Sequence, residues 1–313
     1  MATTASTEAR PTALARKGFG PLQRQESLTA YLFLLPNIIG FLVFSSIPVV
    51  VTFTISLLDW DLIRTPRFVG FDNYVRLLTA DPLFGKILAN TAYYVVGTVP
   101  AGVILSLLLA LAMNSNVRGI WFFRALFFIP VITSSVAVAL MWRWLFNTNF
   151  GLINIALVSV GLPAVPWLSS TAWAMPAVII MAVWKSLGYN MLIFLAGLQG
   201  IPQQLYEAAA IDGATGWHRF RYITVPMLAP TTFFVLIISI IGSFQVFDLA
   251  FILTKGGPGD ATNTIVMYIY NQAFQYFQMG YAAAIAWVLF AIIFGITLLQ
   301  TWLQKRWVHY ENE

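Results

Sequence analysis

The feature that most constrains this chain is a series of apolar segments that are each long enough to cross a lipid bilayer. About 20 helical residues span the hydrocarbon core of a membrane. Runs of this length lie near residues 29–57, 88–113, 120–146, 172–197, 228–254 and 279–303. A soluble domain contains about a quarter charged residues, whereas charged residues make up 9% of this chain. The sequence therefore predicts an all-α membrane protein with six transmembrane helices.

The distribution of Lys and Arg predicts that both termini are cytoplasmic, because these residues concentrate in cytoplasmic connections. The connections placed inside carry more of them, and most of those placed outside share the loop between the first two spans with an equal number of Asp residues. The predicted organisation is a cytoplasmic tail over residues 1–27, a transmembrane domain over 28–305 with a polar loop at 200–230, and a second cytoplasmic tail over 306–313.

Composition excludes several kinds of chemistry. The chain has no cysteine, so disulfides, iron–sulfur clusters and thiol catalysis are excluded. Its two histidines, His218 and His309, lie in different predicted cytoplasmic segments, and a histidine-based metal site is not expected. The net charge of +5 follows the membrane topology and does not indicate a nucleic-acid partner.

The polar loop at 200–230 contains signals for a short helix. Pro202 suits the first helical position, where a missing N–H costs nothing. Good helix formers follow from Gln203 to Asp212, and Gly213 is suited to the left-handed conformation that ends a helix. A second, basic helical segment is expected over Trp217–Thr224, before Pro226 and the next apolar run.

The predicted helix has a small and smooth face, formed by Leu205, Ala208, Ala209 and Asp212 at helical spacing. One interpretation is a surface helix that lies among lipid headgroups. Such a helix normally buries bulky residues on its apolar face. Alanines suit close contact with another protein better, so docking is the favoured interpretation.

At this loop the sequence resembles a known family. Glu207-Ala208-Ala209, Gly213 six residues after the glutamate, and Pro226 resemble the EAA loop in the permease subunits of ATP-binding-cassette (ABC) importers. Further similarity lies in FVGFDNY (68–74), WRWLFN (142–147), FLAGLQ (194–199) and LTKGGPG (253–259). The resemblance is to the carbohydrate-uptake branch, and within it to the first permease of the maltose and glycerol-phosphate pairs. Val225 stands where that branch has leucine, a small departure.

The resemblance implies a type I ABC importer transmembrane fold in the cytoplasmic (inner) membrane. It implies a second permease subunit, two copies of an ABC ATPase and an extracytoplasmic substrate-binding protein as partners. ATP and Mg would act on the ATPase, and this chain would bind no cofactor and be no enzyme. In agreement, the phosphate-binding pattern G-x-x-x-x-G-K-[S/T] is absent from the sequence.

The resemblance also assigns the coupling residues. The EAA helix of the family sits in a groove of the ATPase, and closure of the ATPase dimer moves it and reorients the pore. The residues carried over to this role are Glu207, Ala208, Ala209, Asp212, Gly213 and Pro226.

Ionisable side chains inside apolar spans are costly and are functional candidates. Lys185 lies in the fourth predicted span and Asp248 in the outer half of the fifth. The two could form an ion pair that fixes helix packing, or they could face the cargo, and the sequence leaves both open.

Polar faces on the same two spans predict a passage, since sugars need hydroxyl, amide and aromatic partners. Small and hydroxyl residues also serve as ordinary contacts between membrane helices. The predicted passage residues are Lys185, Ser186, Tyr189, Asn190, Ser239, Ser243, Gln245 and Asp248.

The favoured function is thus a permease subunit of an ATP-driven, binding-protein-dependent importer of a sugar or related polyol. The alternative is an ion-coupled secondary transporter of small polar solutes, but such proteins usually show internal repeats with broken helices at matching positions. An intramembrane enzyme is weaker, since the sequence has neither G-x-S-x-G nor H-E-x-x-H. Lys185 and Arg143 would suit a phosphorylated cargo if they faced the pore, so neutral and anionic cargo both remain open.

Overall fold

The structure is a computed structural model that describes residues 21–115 and 117–307. Most of the predicted tail at 1–27, and His309 in the other tail, lie outside the described residues. The chain divides into two compact units, residues 1–52 and 53–313.

Helix α1 (Pro21–Phe41) lies in the first unit and continues through a wider π-helical turn (Leu42–Ser46) into α2 (Ile47–Ser56), which begins in the first unit and ends in the second. The π turn precedes Pro48, which cannot donate a backbone hydrogen bond to the preceding turn. The stretch Leu28–Ser56 is 29 residues long and apolar enough to cross a membrane.

The second unit is mostly helical. A short antiparallel pair of strands, β1 (Leu58–Asp59) and β2 (Arg67–Phe68), joins Leu58 to Phe68 and Asp59 to Arg67. The helices before the polar loop are α3 (Asp72–Thr79), α4 (Pro82–Met113), α5 (Ile120–Ile132), α6 (Ser135–Leu145), α7 (Leu152–Ser159) and α8 (Ala174–Gln199). Those that follow are α9 (Gln203–Ile211), α10 (Gly216–Arg219), α11 (Val225–Met227), α12 (Ala229–Phe244), α13 (Asp248–Thr254), α14 (Ile265–Tyr270) and α15 (Met279–Trp307), with π-helical turns at Phe220–Thr224 and Asn271–Gln275.

Among the described residues, four helices are each long and apolar enough to cross a membrane, and the number rises to six if two bent pairs each count as one span. The first pair is α5 and α6, bent by 99°, and the second is the segment Gly216–Met227 with α12, bent by 62°. The continuous span expected at 120–146 is therefore divided by a bend. The bend of the second pair lies at the start of the span expected at 228–254, which is itself interrupted between α12 and α13.

Prolines explain part of these divisions. Pro130 lies in the last turn of α5, just before the bend at Thr133 and Ser134. Pro226 and Pro230 flank the bend at Leu228, and neither can donate a backbone hydrogen bond. An apolar pattern reports how much hydrocarbon a segment can cross, but it carries little information about where its axis turns.

Contacts between helices define their directions. A side chain placed at Gly97 of α4 would meet Ile179 of α8, and one placed at Gly102 would meet Ser186. Both numbers rise together, so α4 and α8 run parallel. Asn190 of α8 instead lies near Ser239 of α12, while Gly197 lies against Thr231. Therefore α12 runs antiparallel to α8.

The buried side chains form two apolar cores. The first core contains Val99 of α4, Leu198 of α8, Leu228, Val235 of α12 and Ile285 of α15, together with their buried neighbours. The second core lies at the other end of α8, and includes Trp142, Phe146, Trp167, Met181 and Leu249.

Helices α5 and α8 approach each other closely at Gly188. A Cβ atom built on Gly188 would lie 2.0 Å from the backbone oxygen of Phe127. Since that neighbour is backbone, it cannot rotate aside, and only glycine fits this position.

A hydrogen-bond cluster holds the first turn of α4 to α14 and α15. The Asp81 carboxylate accepts from the backbone N–H of Leu83 at 2.9 Å and from the hydroxyls of Tyr268 and Tyr281. Partial burial opposes ionisation of Asp81, but these hydrogen bonds outweigh it and lower the pKa of the carboxyl group. Burial and the bond to Asp81 raise the pKa of Tyr268 to about 12, so this hydroxyl keeps its proton.

Replacing Gly188 by alanine should destabilise the protein, by about 1–3 kcal/mol for an overpacked contact. The matched control is Gly295 of α15, where a Cβ atom would meet nothing within 4 Å. There alanine should stabilise the helix by about 0.5–1 kcal/mol. Thermal unfolding of the two purified variants measures the difference. Equal shifts at both positions would contradict the close approach of α5 and α8.

Replacing Asp81 by asparagine should lower the unfolding temperature at neutral pH. Because the folded pKa is lower than the unfolded one, the contribution of the ionised carboxylate is present above the unfolded pKa, near 3.8, and is lost as the pH falls through the folded value. The difference in unfolding temperature between the wild type and Asp81→Asn should therefore become smaller at acidic pH. A gap that is independent of pH would show that the carboxylate charge plays no part in the cluster.

Candidate functional site

The loop that follows α8 contains the helix expected from its sequence. Helix α9 begins at Gln203. Pro202 caps its start and does not occupy the first helical position that the sequence predicts. Past its end, Gly213 adopts a φ of +76°, and the N–H of Ala214 donates to the carbonyl of Ala209 at 2.8 Å. This is the glycine-terminated helix end that the sequence signals predict.

One side of α9 is held against the bundle. The hydroxyls of Tyr206 and Thr224 share a hydrogen bond at 2.9 Å. Tyr206, Ile223 and Met227 also pack against the first core. As a result, α9 and the π turn at 220–224 are joined to each other and to the bundle.

The other side of α9 is open. Glu207, Ala208, Asp212, Gly213 and Pro226 are exposed, while Ala209 is half-buried. The structure thus leaves five of the six residues assigned to coupling accessible to a partner. Their role in coupling stays a prediction.

Sequence reasoning missed the bulky apolar residues of this surface. Ile211 is 88% exposed, and Trp217 and Tyr222 are 67% and 72% exposed. The expected face of alanines is therefore only a part of the accessible surface. Ile211 carried a readable signal, since it stands beside Asp212 and on the helix face away from Tyr206.

The loop connects directly to α12. The π turn leads through α11 to Leu228, which is 1% exposed and belongs to the first core. Helix α12 starts at the next residue and carries Ser239, Gly242 and Ser243 at its far end. About 15 Å of helix separates Ser239 from the loop, at 1.5 Å per residue.

A cavity of about 370 Å³ lies between α4, α8, α12 and the start of α13. The structure places all the residues predicted for a passage at its wall: Lys185, Ser186, Tyr189, Asn190, Ser239, Ser243, Gln245 and Asp248. Whether these side chains contact a cargo stays a prediction.

Lys185 and Asp248 do not form the ion pair that the sequence leaves open. The Lys185 ammonium donates to the hydroxyl of Ser135 at the start of α6, and the Asp248 carboxylate accepts from the N–H of Leu249 at 2.9 Å. Among the described residues, the ion pairs are formed in the loop that holds β1 and β2. Because the flexible side chain of Lys185 is bonded to the neutral Ser135, the charges of Lys185 and Asp248 do not neutralise each other, and both lie at the cavity wall.

Helix α4 supplies a wall of the cavity that sequence reasoning missed. Tyr94, Thr98 and Gly102 follow each other at intervals of four residues and line the cavity. This spacing of polar and small residues along one helical face was a usable signal. Arg143, considered for an anionic cargo, is exposed on α6 and is not part of the cavity wall.

The part of the chain that the structure describes contains no group of three His, Asp or Glu side chains able to hold a metal ion. The cavity wall presents hydroxyl, amide and aromatic groups and two charged side chains. Their chemistry suits reversible binding of a polar solute.

Comparison with known proteins places the chain among transport proteins. Residues 102–309 match the family described as binding-protein-dependent transport system inner membrane component. The chain is 40% identical over 294 residues to the probable ABC transporter permease protein YesP of Bacillus subtilis (strain 168), covering 93% of this chain and 94% of that protein. It is 36% identical to the arabinooligosaccharides transport system permease protein AraP of the same organism, covering 92% of each chain.

A solved structure is also similar. It is the crystal structure of a bacterial ABC transporter involved in the import of the acidic polysaccharide alginate. The TM-score is 0.78 at 26% sequence identity, and the match covers 90% of this chain and 96% of that chain.

Proposed function

Since the chain belongs to the family of binding-protein-dependent transport system inner membrane components, we propose that the cavity between α4, α8 and α12 passes a sugar or related polyol. The chain is a multi-pass permease of an ABC importer with the type I transmembrane fold, a transport component and not an enzyme. This membership favours the importer over an ion-coupled secondary transporter.

The observation that carries the proposal is the composition of the cavity wall. Ser186, Ser239 and Ser243 supply hydroxyls, Asn190 supplies an amide, and Tyr189 supplies an aromatic ring that is half exposed. Small-molecule sites combine apolar walls with a few placed polar groups in this way. The relative AraP is named for arabinooligosaccharides, which supports a carbohydrate cargo for this chain.

We further propose that the exposed side of α9 docks on a separate ATPase. The surface formed by α9, α10 and the π turn at 220–224 combines the acids Glu207 and Asp212 with the exposed Ile211, Trp217 and Tyr222, and aromatic residues are common anchors of protein interfaces. A helix lying among anionic cytoplasmic lipids would favour basic residues, whereas the charged residues from Gln203 to Asp212 are both acidic. ATP and Mg would bind the ATPase, and this chain would supply no cofactor site.

Movement of α9 would reach the cavity through α12. Tyr206 ties α9 to Thr224, and Leu228 anchors the following turn in the first core. Because helix α12 is continuous from Ala229 to Phe244, a displacement of the loop tilts or shifts the helix that carries Ser239 and Ser243. The cavity wall would thereby open and close with the ATPase cycle.

The remaining parts of the proposal concern topology and partners. Six spans with both termini cytoplasmic place the α9 loop on the ATPase side, in line with the positive-inside distribution of Lys and Arg. A second permease would complete the passage, two ATPase copies would drive it, and an external binding protein would deliver cargo.

Filling the cavity should block transport without unfolding the protein. Gly242 lines the cavity, and a Cβ atom built on it would meet nothing within 4 Å. A larger side chain at this position would therefore extend into open space. We expect Gly242→Leu to abolish uptake in the assembled importer, while ATPase copurification is unchanged. Gly295→Leu is the matched control, because Gly295 has similar free space but lies outside the cavity wall. Wild-type uptake by Gly242→Leu would rule out this cavity as the passage.

Replacing Gly213 should uncouple ATP hydrolysis from uptake. A side chain in the left-handed conformation costs roughly 1–2 kcal/mol, and a β-branched residue fits it worst. Gly213→Val should therefore misdirect α9 while leaving the chain inserted. Gly216→Val is the control, since Gly216 starts α10 without a positive φ and with open space around it.

The measurements are uptake by reconstituted importer and the stimulation of ATPase activity by loaded binding protein. We expect Gly213→Val to lose most of both and Gly216→Val to retain them. Normal coupling in Gly213→Val would overturn the role assigned to α9, whereas the Gly242 pair tests the cargo passage independently.

A further inference from the structure

The connection between α6 and α8 contains a helix whose outward surface is entirely uncharged. No Asp, Glu, Lys or Arg occurs from residue 147 to 170. Within this connection, every large apolar residue on the outward side of α7 and its flanks is about half exposed or more: Phe150, Leu152, Ile155, Val158, Val160 and Leu162. Exposing an apolar surface of this kind to water is unfavourable, and such surfaces usually mark a site of contact with protein or membrane.

The inner side of α7 is firmly attached to the bundle. The Asn154 side chain, 3% exposed, donates to the carbonyl of Val165 at 2.9 Å and accepts from the indole N–H of Trp167 at 3.0 Å. Ile153 and Leu157 pack against the second core. The outward surface is therefore presented in a fixed orientation and cannot turn inward to hide itself.

The position of α7 along the membrane normal is set by its neighbours. Helix α6 ends at Leu145, and α8, which is long and apolar enough to cross a membrane, begins at Ala174, so α7 lies in the connection that leads into a spanning helix. A side chain on Gly151 would lie 2.3 Å from the carbonyl oxygen of Leu145, which brings the start of α7 directly against the end of α6.

Two residues of α6 mark the membrane surface at this level. Arg143 and Trp144 are exposed in the last turn. Trp concentrates at the headgroup region, and Arg near a helix end extends its charge to the interface. No carboxylate pairs with Arg143 in the described part of the chain, so a lipid phosphate is the natural partner of its charge.

The direction of this surface argues against coverage by the partner permease. The buried residues Val138, Ala139 and Trp142 of α6 face the second core, while Val136, Leu140 and Trp144 are exposed on the opposite side of the helix. The second core also holds Ala182 and Leu249, which line the cavity. A permease that shares the passage must approach from the cavity side, whereas the exposed side of α6 faces away from the second core.

We propose that residues 150–162 form an interfacial anchor, in which α7 lies along the bilayer surface and inserts Leu152, Ile155 and Val158 between lipid headgroups and acyl chains. The occupant of this surface is the lipid bilayer itself. The anchor holds the adjoining ends of α6 and α8 at a constant depth beside the cavity. Assigning it to the outer leaflet rests on the orientation proposed above, but contact with lipid does not.

The absence of cysteine makes a direct test possible. The variant Ile155→Cys is labelled with an environment-sensitive fluorophore in the assembled importer, whose other subunits have had their accessible cysteines replaced. The matched variant Ser169→Cys probes an exposed position in the polar turn of the same connection. Both are reconstituted in phosphatidylcholine vesicles and exposed to a nitroxide-labelled lipid or to a water-soluble quencher.

We expect the label at position 155 to emit at shorter wavelength, to be quenched strongly by the nitroxide lipid and to be protected from the aqueous quencher. The label at position 169 should show the reverse. Quenching of position 155 mainly from water would overturn the proposal. Protection from both quenchers would overturn it as well, because a protein partner would then cover α7. Neither result would affect the cargo passage or the docking of α9.

Discussion

The constraint on which the structure depends is that backbone N–H and C=O groups inside hydrocarbon must be satisfied within the protein. Helices solve this problem, so each interruption of a helix needs a local reason. The break between α12 and α13 opens onto the cavity wall, where Gln245 and Asp248 stand. The bend between α5 and α6 lies beside Ser135, the partner of Lys185. At both of these positions, the irregular backbone lies beside polar groups that border the space proposed for cargo.

Local signals made the α9 loop readable from sequence. Pro202 and Gly213 mark helix ends through backbone properties that do not depend on tertiary contacts. The polar residues of the passage were also readable, because polar side chains within apolar spans stand out. Tyr94, Thr98 and Gly102 gave a weaker signal, because their spacing places them on one helical face but does not show which neighbouring helix that face meets.

The bends and the partner of Lys185 were beyond the sequence for a different reason. Hydropathy is summed along a segment and does not change when the helix axis turns. Lys185 could reach Asp248 or Ser135, and the choice depends on a bend of 99° that brings the start of α6 to α8. A long flexible side chain finds its partner only after the helices have been placed.

The two apolar cores meet α8 at different levels, and this separation locates where the protein can move. The second core contacts α8 up to Trp184, and the first core contacts it from Met191 onward. Between these levels lie Lys185, Ser186 and Tyr189, which line the cavity. The boundary also passes between Phe244 and Val246, at the end of α12. Close-packed cores resist deformation, so a force applied through the α9 loop would displace one core against the other, and the change would be concentrated at the cavity.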